Sequence, residues 1–265
     1  MTTAIIGAGV MGETLLSGLL RAGVPKSELL IADRRIERSA EVTKEHGVAN
    51  GTNQEVSAKA DTVVLVVKPQ DMAIVLDEIK DALRPGTLVV SLAAGITTGF
   101  MEDLLPAKTP VIRVMPNTPA LVDQGMAAIS SGTNSTEEHL VTVETLLRSV
   151  GQVVRVPEKY QDAVTAISGS GPAYIFYVVE AMIEGGVMLG LPRDVANELV
   201  LQTVYGAATM LRETSEHPTV LREQVTSPGG TTVAALRQFD DFKVRAAFLS
   251  AMEAARDRSK ELGMQ

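Results

Sequence analysis

The stretch TAIIGAGVMGETLL, residues 3–16, sets a short apolar run directly against a glycine-rich turn and then a helix-spaced segment. Each glycine has its own physical reason. Gly7 permits a tight turn out of a strand, Gly9 lets backbone approach a pyrophosphate, and Gly12 lets the following helix pack closely on the strand. Ala8, Val10 and Met11 fill the remaining positions of this GAGVMG turn. The turn carries weight only if a strand precedes it, a helix follows it and the unit repeats along the chain.

The unit does repeat. Further apolar runs stand at Leu29–Ala32, 63–67, Leu88–Ser91 and Val111–Met115, with helical spacing between them, as at 11–22 and 72–83. In the latter segment Met72, Val75, Leu76, Ile79 and Leu83 share one face, and Pro85-Gly86 ends it. Continuous apolar strands joined by helices require a sheet covered on both faces, and right-handed crossovers make it doubly wound. Strands at 125–130 and 151–156 around a helix at 136–149 extend the pattern, which stops at Pro157. The expectation is an α/β Rossmann domain over residues 1–157 with a mostly parallel sheet.

Asp33 closes the second strand where this fold expects an acid on the ribose hydroxyls, and Arg34 and Arg35 follow at once. An acid favours NAD and an adjacent arginine accepts the 2′-phosphate of NADP, so the local signal is mixed; a solvated charge cluster would also fit. Three more strand ends carry small or rigid residues: Val67-Lys68-Pro69, Ala93-Ala94-Gly95 and Met115-Pro116-Asn117-Thr118-Pro119. Ligands of open α/β sheets lie beyond such ends, and small side chains there let a flat ring rest on backbone. Each is equally an ordinary turn, and Lys68 equally a surface charge.

From 158 the texture turns helical, at 160–191 with a Ser-Gly-Ser-Gly-Pro interruption, then at 193–213, 231–238 and 242–262. This predicts an all-α C-terminal dimerisation domain over 158–265. Segment 173–189 is apolar almost all round and demands burial between helices or subunits. Val244, Phe248, Ala251, Ala255 and Leu262 approach a heptad seam suited to a partner helix. Both point to a homo-oligomer. The turn VTSPGGTT, residues 225–232, opens one of these helices with bare N–H groups. Those groups suit a carboxylate, or mark a plain helix start.

Composition narrows the classes. A net charge of −8 and a pI near 5.0 oppose nucleic-acid binding. Cysteine is absent, which removes thiolate chemistry and is compatible with a cytoplasmic setting, and the histidines His46, His139 and His217 form no spaced ligand pair, so no metal is expected. The N-terminal segment has no basic region and contains Glu13, unlike a signal peptide, and no apolar run is expected to reach bilayer length. Reducing a ketone calls for a positioned acid, and the helical half offers only His217 and lysines near helix ends. An imine can arrive already protonated. Hydroxyls and N–H groups then suffice.

The run LREQVTSPGGTTVAALRQFD (221–240), with SGSGPAYIF (168–176), MPNTP (115–119), VVKPQ (66–70) and GAGVMG (7–12), closely resembles the pyrroline-5-carboxylate reductase family across the whole chain. The resemblance implies reduction of 1-pyrroline-5-carboxylate to proline with NADPH or NADH. It also implies a homodimer through the C-terminal helices, with dimers often assembling into a decamer. It places the pyrophosphate at Gly7, Ala8, Gly9, Val10, Met11 and Gly12, and the adenine-ribose end at Arg34 and Asn53. The nicotinamide side falls at Val66, Val67, Lys68 and Pro69 with Leu92, Ala93 and Ala94. Substrate falls at Ser227, Gly230, Thr231 and Thr232, with the Thr232 hydroxyl on the ring nitrogen and the Gly230 and Thr231 N–H groups on the carboxylate. Asp33 stands where relatives often carry an uncharged residue. The acidic substrate contact of some relatives matches Glu216 or Ser215 without choosing between them. The alternatives are a β-hydroxyacid dehydrogenase, which would need a catalytic lysine in the helical domain, and a non-catalytic dinucleotide-binding protein.

Overall fold

The structure is a computed structural model and describes residues 1–263. Eight strands form one sheet in the order β3-β2-β1-β4-β5-β6-β7-β8. They are β1 (Thr3–Ile6), β2 (Leu29–Ala32), β3 (Ala49–Asn50), β4 (Thr62–Leu65), β5 (Leu88–Ser91), β6 (Val111–Met115), β7 (Gly125–Ser131) and β8 (Gly151–Arg155). All neighbours pair in parallel except β6 and β7, which run antiparallel with Val114 opposite Ile129.

Alternation along each strand divides the apolar residues between two cores, one per face. Ile5, Ile31, Val64, Val90 and Ile112 point into one, with Leu15, Leu16 and Leu19 of helix α1 (Val10–Arg21). Ala4, Ile6, Leu30, Val63, Leu65 and Val89 point into the other. Helices α2 (Ile36–His46), α3 (Asn53–Ser57), α4 (Met72–Ile79), α5 (Thr98–Leu104) and α6 (Glu137–Arg148) complete the layers. On α4 the predicted apolar face is the buried one, through Met72, Val75, Leu76 and Ile79.

The chain then stays helical through α7 (Gln161–Val164), a wide turn at Thr165–Gly169, α8 (Gly171–Met188), α9 (Arg193–Thr214), α10 (Pro218–Gln224), α11 (Thr231–Asp241) and α12 (Val244–Leu262). One compact unit is Met1–Ser170 together with the chain from Ala255; the other is Gly171–Ala254. Within the first unit the Ser259 hydroxyl donates to Asp162 at 2.8 Å.

One expectation needs correction: an apolar stretch does reach bilayer length. The Ser-Gly-Ser-Gly-Pro interruption is a π turn, closed by the Ser170 N–H on the Thr165 carbonyl (2.8 Å), through which the chain stays helical. Glu158–Met188 is therefore a 31-residue helical stretch of mean hydropathy 1.2, long and apolar enough to cross a bilayer by length and composition.

Candidate active site

Strand order reverses between β1 and β4, and a crevice opens beyond their carboxyl ends, where this fold binds ligands. The backbone there is tightly determined. Gly7 has φ +107°, and an added Cβ would lie 2.3 Å from the Val66 carbonyl oxygen; at Gly12 it would lie 1.9 Å from that of Gly7. These two glycines are demanded by packing. Gly9 differs, since a Cβ there would meet nothing within 4 Å. Gly9 is also the N-cap of α1, and no side chain satisfies the N–H groups that follow. Open space before an uncapped helix start is a cradle for an anion, and it fits a dinucleotide pyrophosphate.

A groove of about 280 Å³ runs from this cradle. Its walls include Gly7, Gly9, Arg34, Asn53, Val66, Val67 and Lys68. Ala8 and Gly12 are buried beneath it, while Val10 and Pro69 are exposed. Met11 and Leu92 meet Pro116 and Asn117 around a separate small cavity, with Ala93 buried and Ala94 half-buried after β5. Asn117 ties this end together: its amide donates to the Ser168 carbonyl (3.1 Å) and accepts from the Met126 N–H (2.8 Å).

At the other end Asp33 is structural. Its carboxylate accepts the Ala8 N–H (2.8 Å), the Arg35 N–H (2.9 Å) and the Arg35 guanidinium (3.2 Å), bracketing the glycine turn to the end of β2. Burial pushes the Asp33 carboxyl up, but these donors outweigh it and hold it below the ordinary carboxylate value. Arg34 is largely exposed and pairs with Asp71 at 3.2 Å, and Asn53 donates to Glu78 at 2.7 Å. The sequence reading missed Asp71, whose pairing with Arg34 depends on the order of the strands.

In the helical unit, Gly229 has φ +67° and turns the chain so that Gly230 becomes the N-cap of α11, again without a side-chain cap. The Gly230 N–H closes the turn on the Ser227 carbonyl (3.0 Å), leaving the α11 start to the N–H groups of Thr231 and Thr232. Thr231 and Ser227 are exposed and Thr232 half-buried. Ser215 ends α9 in a left-handed conformation and Glu216 is exposed beside it. His217 caps α10, its ring Nδ1 accepting the Thr219 N–H at 3.2 Å. Glu13, Glu45 and His46 bring ligand-type atoms within 4.8 Å of one another. The Arg38 guanidinium already pairs with Glu13, so the grouping reads as an ion-pair cluster.

Residues 158–262 match the family model described as pyrroline-5-carboxylate reductase dimerisation, and residues 2–95 match that described as NADP oxidoreductase coenzyme F420-dependent. The chain is 46% identical over 266 aligned positions to a pyrroline-5-carboxylate reductase of Corynebacterium melassecola, covering 99% of this chain and 98% of the relative. Among solved structures it resembles a pyrroline-5-carboxylate reductase from Coxiella burnetii (TM-score 0.93, 36% identity, 98% of each chain). It also resembles pyrroline carboxylate reductase of Plasmodium falciparum with NADP bound (TM-score 0.87, 30% identity, 99% of this chain and 98% of that one).

Proposed function

This chain belongs to the pyrroline-5-carboxylate reductase family, NAD(P)H-dependent enzymes of the last step of proline biosynthesis, and on that premise we propose that residues 7–12 hold the cofactor pyrophosphate and the SPGGTT turn holds the substrate. The uncapped start of α11 behind a left-handed glycine is the observation that carries the second assignment. It leaves the N–H groups of Thr231 and Thr232 for the carboxylate, with Ser227 at the entrance to the turn; the Gly230 N–H, expected to join them, is engaged by the Ser227 carbonyl. Thr232 then sets its hydroxyl on the imine nitrogen. The reduced nicotinamide, when bound, supplies the hydride to the imine carbon. Because the nitrogen arrives protonated and the product amine keeps that proton, the chain needs no separate acid.

Arg34 and Asn53 take the adenine-ribose end. Val66, Val67, Lys68 and Pro69, with Leu92, Ala93 and Ala94, flank the nicotinamide. Arg34 favours NADPH, and its pairing with Asp71 leaves room for NADH as well. The functional division falls at 157/158, with 158–265 as the substrate-binding and dimerisation domain. Homodimers form through its helices, whose exposed apolar residues would be covered there, and such dimers can build a decamer. Subunit contact, not lipid, accounts for the apolar stretch Glu158–Met188, and the enzyme works in the cytoplasm.

The test follows nicotinamide absorbance with 1-pyrroline-5-carboxylate, with a β-hydroxy acid and with neither. Oxidation of NADPH only in the presence of the imine is expected. Turnover of the hydroxy acid alone, or cofactor binding with no turnover, would overturn the assignment.

A further inference from the structure

Resting on the reading that the groove holds the adenosine end of the cofactor, we infer that Asp71 sets the choice between phosphorylated and unphosphorylated cofactor by competing for Arg34. Arg34 follows β2 and Asp71 follows β4, and in the sheet these strands flank β1. The Arg34–Asp71 pair, at 3.2 Å, therefore spans the carboxyl end of β1, above the glycine turn. Both residues line the groove, together with Asp33, Arg35 and Lys68.

The two acids there have different duties. Asp33 is held by two backbone N–H groups as well as by Arg35, so its role is fixed by the fold. Asp71 stands at the N-cap of α4 yet makes no side-chain capping bond, so its carboxylate is directed to Arg34 alone among the described residues. A guanidinium prefers a phosphate dianion, but here it must first leave Asp71. The carboxylate then remains as a like charge beside the phosphate. A ligand with a free 2′-hydroxyl pays neither cost and leaves the pair intact. Asp71 is thus a counter-ion that lowers affinity for the 2′-phosphate and keeps both cofactors usable.

The experiment is calorimetric binding of NADP⁺ and NAD⁺ to the wild-type enzyme, Asp71→Asn, Arg34→Ala and the double variant, at low and high salt. Exposed ion pairs are modest, so Asp71→Asn is expected to tighten NADP⁺ about three- to fivefold and to leave NAD⁺ within about twofold. The gain shrinks with added salt. It vanishes in the Arg34→Ala background. Melting temperature checks that the asparagine variant remains folded, as the absence of a capping bond leads one to expect. A loss of NADP⁺ affinity would make Asp71 a support for Arg34 and overturn the inference, as would equal changes for both cofactors. If neither cofactor bound the wild-type enzyme, the reading of the groove itself would fall, and the inference with it.

Discussion

The two compact units solve the burial problem differently. In the sheet unit, Ile5, Ile31, Leu65 and Val89 are completely sealed, each against a core made by the same chain. In the helical unit, Phe176 is 65% exposed, Tyr205 69% and Leu189 88%, and α8 has no buried residue at all. The cause lies in geometry. A sheet with alternating faces can be covered by helices from its own crossovers, whereas a helix apolar all round has more surface than its neighbours in one chain can cover. The first unit buries its apolar residues within its own chain, and the second leaves an apolar surface of the kind an assembly covers.

The sharpest way to break that contrast is Phe176→Glu. If α8 is covered by another subunit, the substitution buries an unpaired carboxylate in an apolar contact, at a cost of roughly 3 kcal/mol or more per copy. Light scattering is expected to show small or aggregated species, with activity lost in parallel. An assembled, fully active Phe176→Glu enzyme would end the proposal that these helices pair.

The glycine turn tests the other side, intrinsic packing. Gly12→Ala places a methyl group against the Gly7 carbonyl oxygen, where rigid backbone cannot yield, so its cost lies at or above the ~3 kcal/mol end of overpacking losses. Gly9→Ala meets only open space. It is expected to melt like the wild type yet lose cofactor binding, because the methyl group occupies the pyrophosphate cradle. Normal binding by the Gly9 variant would remove the cradle from its assigned role.

Thr232→Val comes next in size. The shape is kept and the polar group is removed, so folding and cofactor affinity stay nearly intact. A lost hydrogen bond to a charged group, worth roughly 1.5–3 kcal/mol, predicts about a ten- to hundredfold fall in kcat/KM per folded site. Thr232→Ser retains most activity. Unchanged kcat/KM with a lowered melting temperature would reduce Thr232 to a residue of the helix's first turn.

The same contrast explains what the sequence made legible. Strands β1, β2, β5 and β6 stand at their expected bounds, because burial on both faces leaves continuous apolar runs that need no partner to be seen. The reversed direction of β7 was not visible in its residues; the link 116–124 is simply too short for a crossover. Helix α10 was missed although its start, His217 as cap and Pro218 in the first turn, is written in the His-Pro pair. At the site, the glycines were legible because their constraint is local backbone geometry. Asp71 was not, because its pairing with Arg34 exists only once the sheet order sets β2 and β4 on either side of β1.

The smallest effect sharpens the claim that the first unit is self-contained down to its glycine turn. Asp33 holds that turn through the Ala8 and Arg35 N–H groups, and its carboxyl sits below the ordinary value despite burial. A group whose pKa is lowered by folding contributes stability in full above its unfolded value, near 4, and loses it as pH falls through the folded value. The carboxylate, once protonated, accepts these bonds poorly. The difference in melting temperature between the wild type and Asp33→Asn is therefore expected to stay constant from neutral pH down to about 5 and to shrink below about 4. Asparagine can still accept the Ala8 N–H through its carbonyl but turns its NH2 toward the Arg35 donors, so it is the change of the difference with pH, and not its neutral value, that reports the charge. A gap that held steady through the acid range would mean that the charge of Asp33 contributes nothing to holding the turn, and that its bonds act through shape alone.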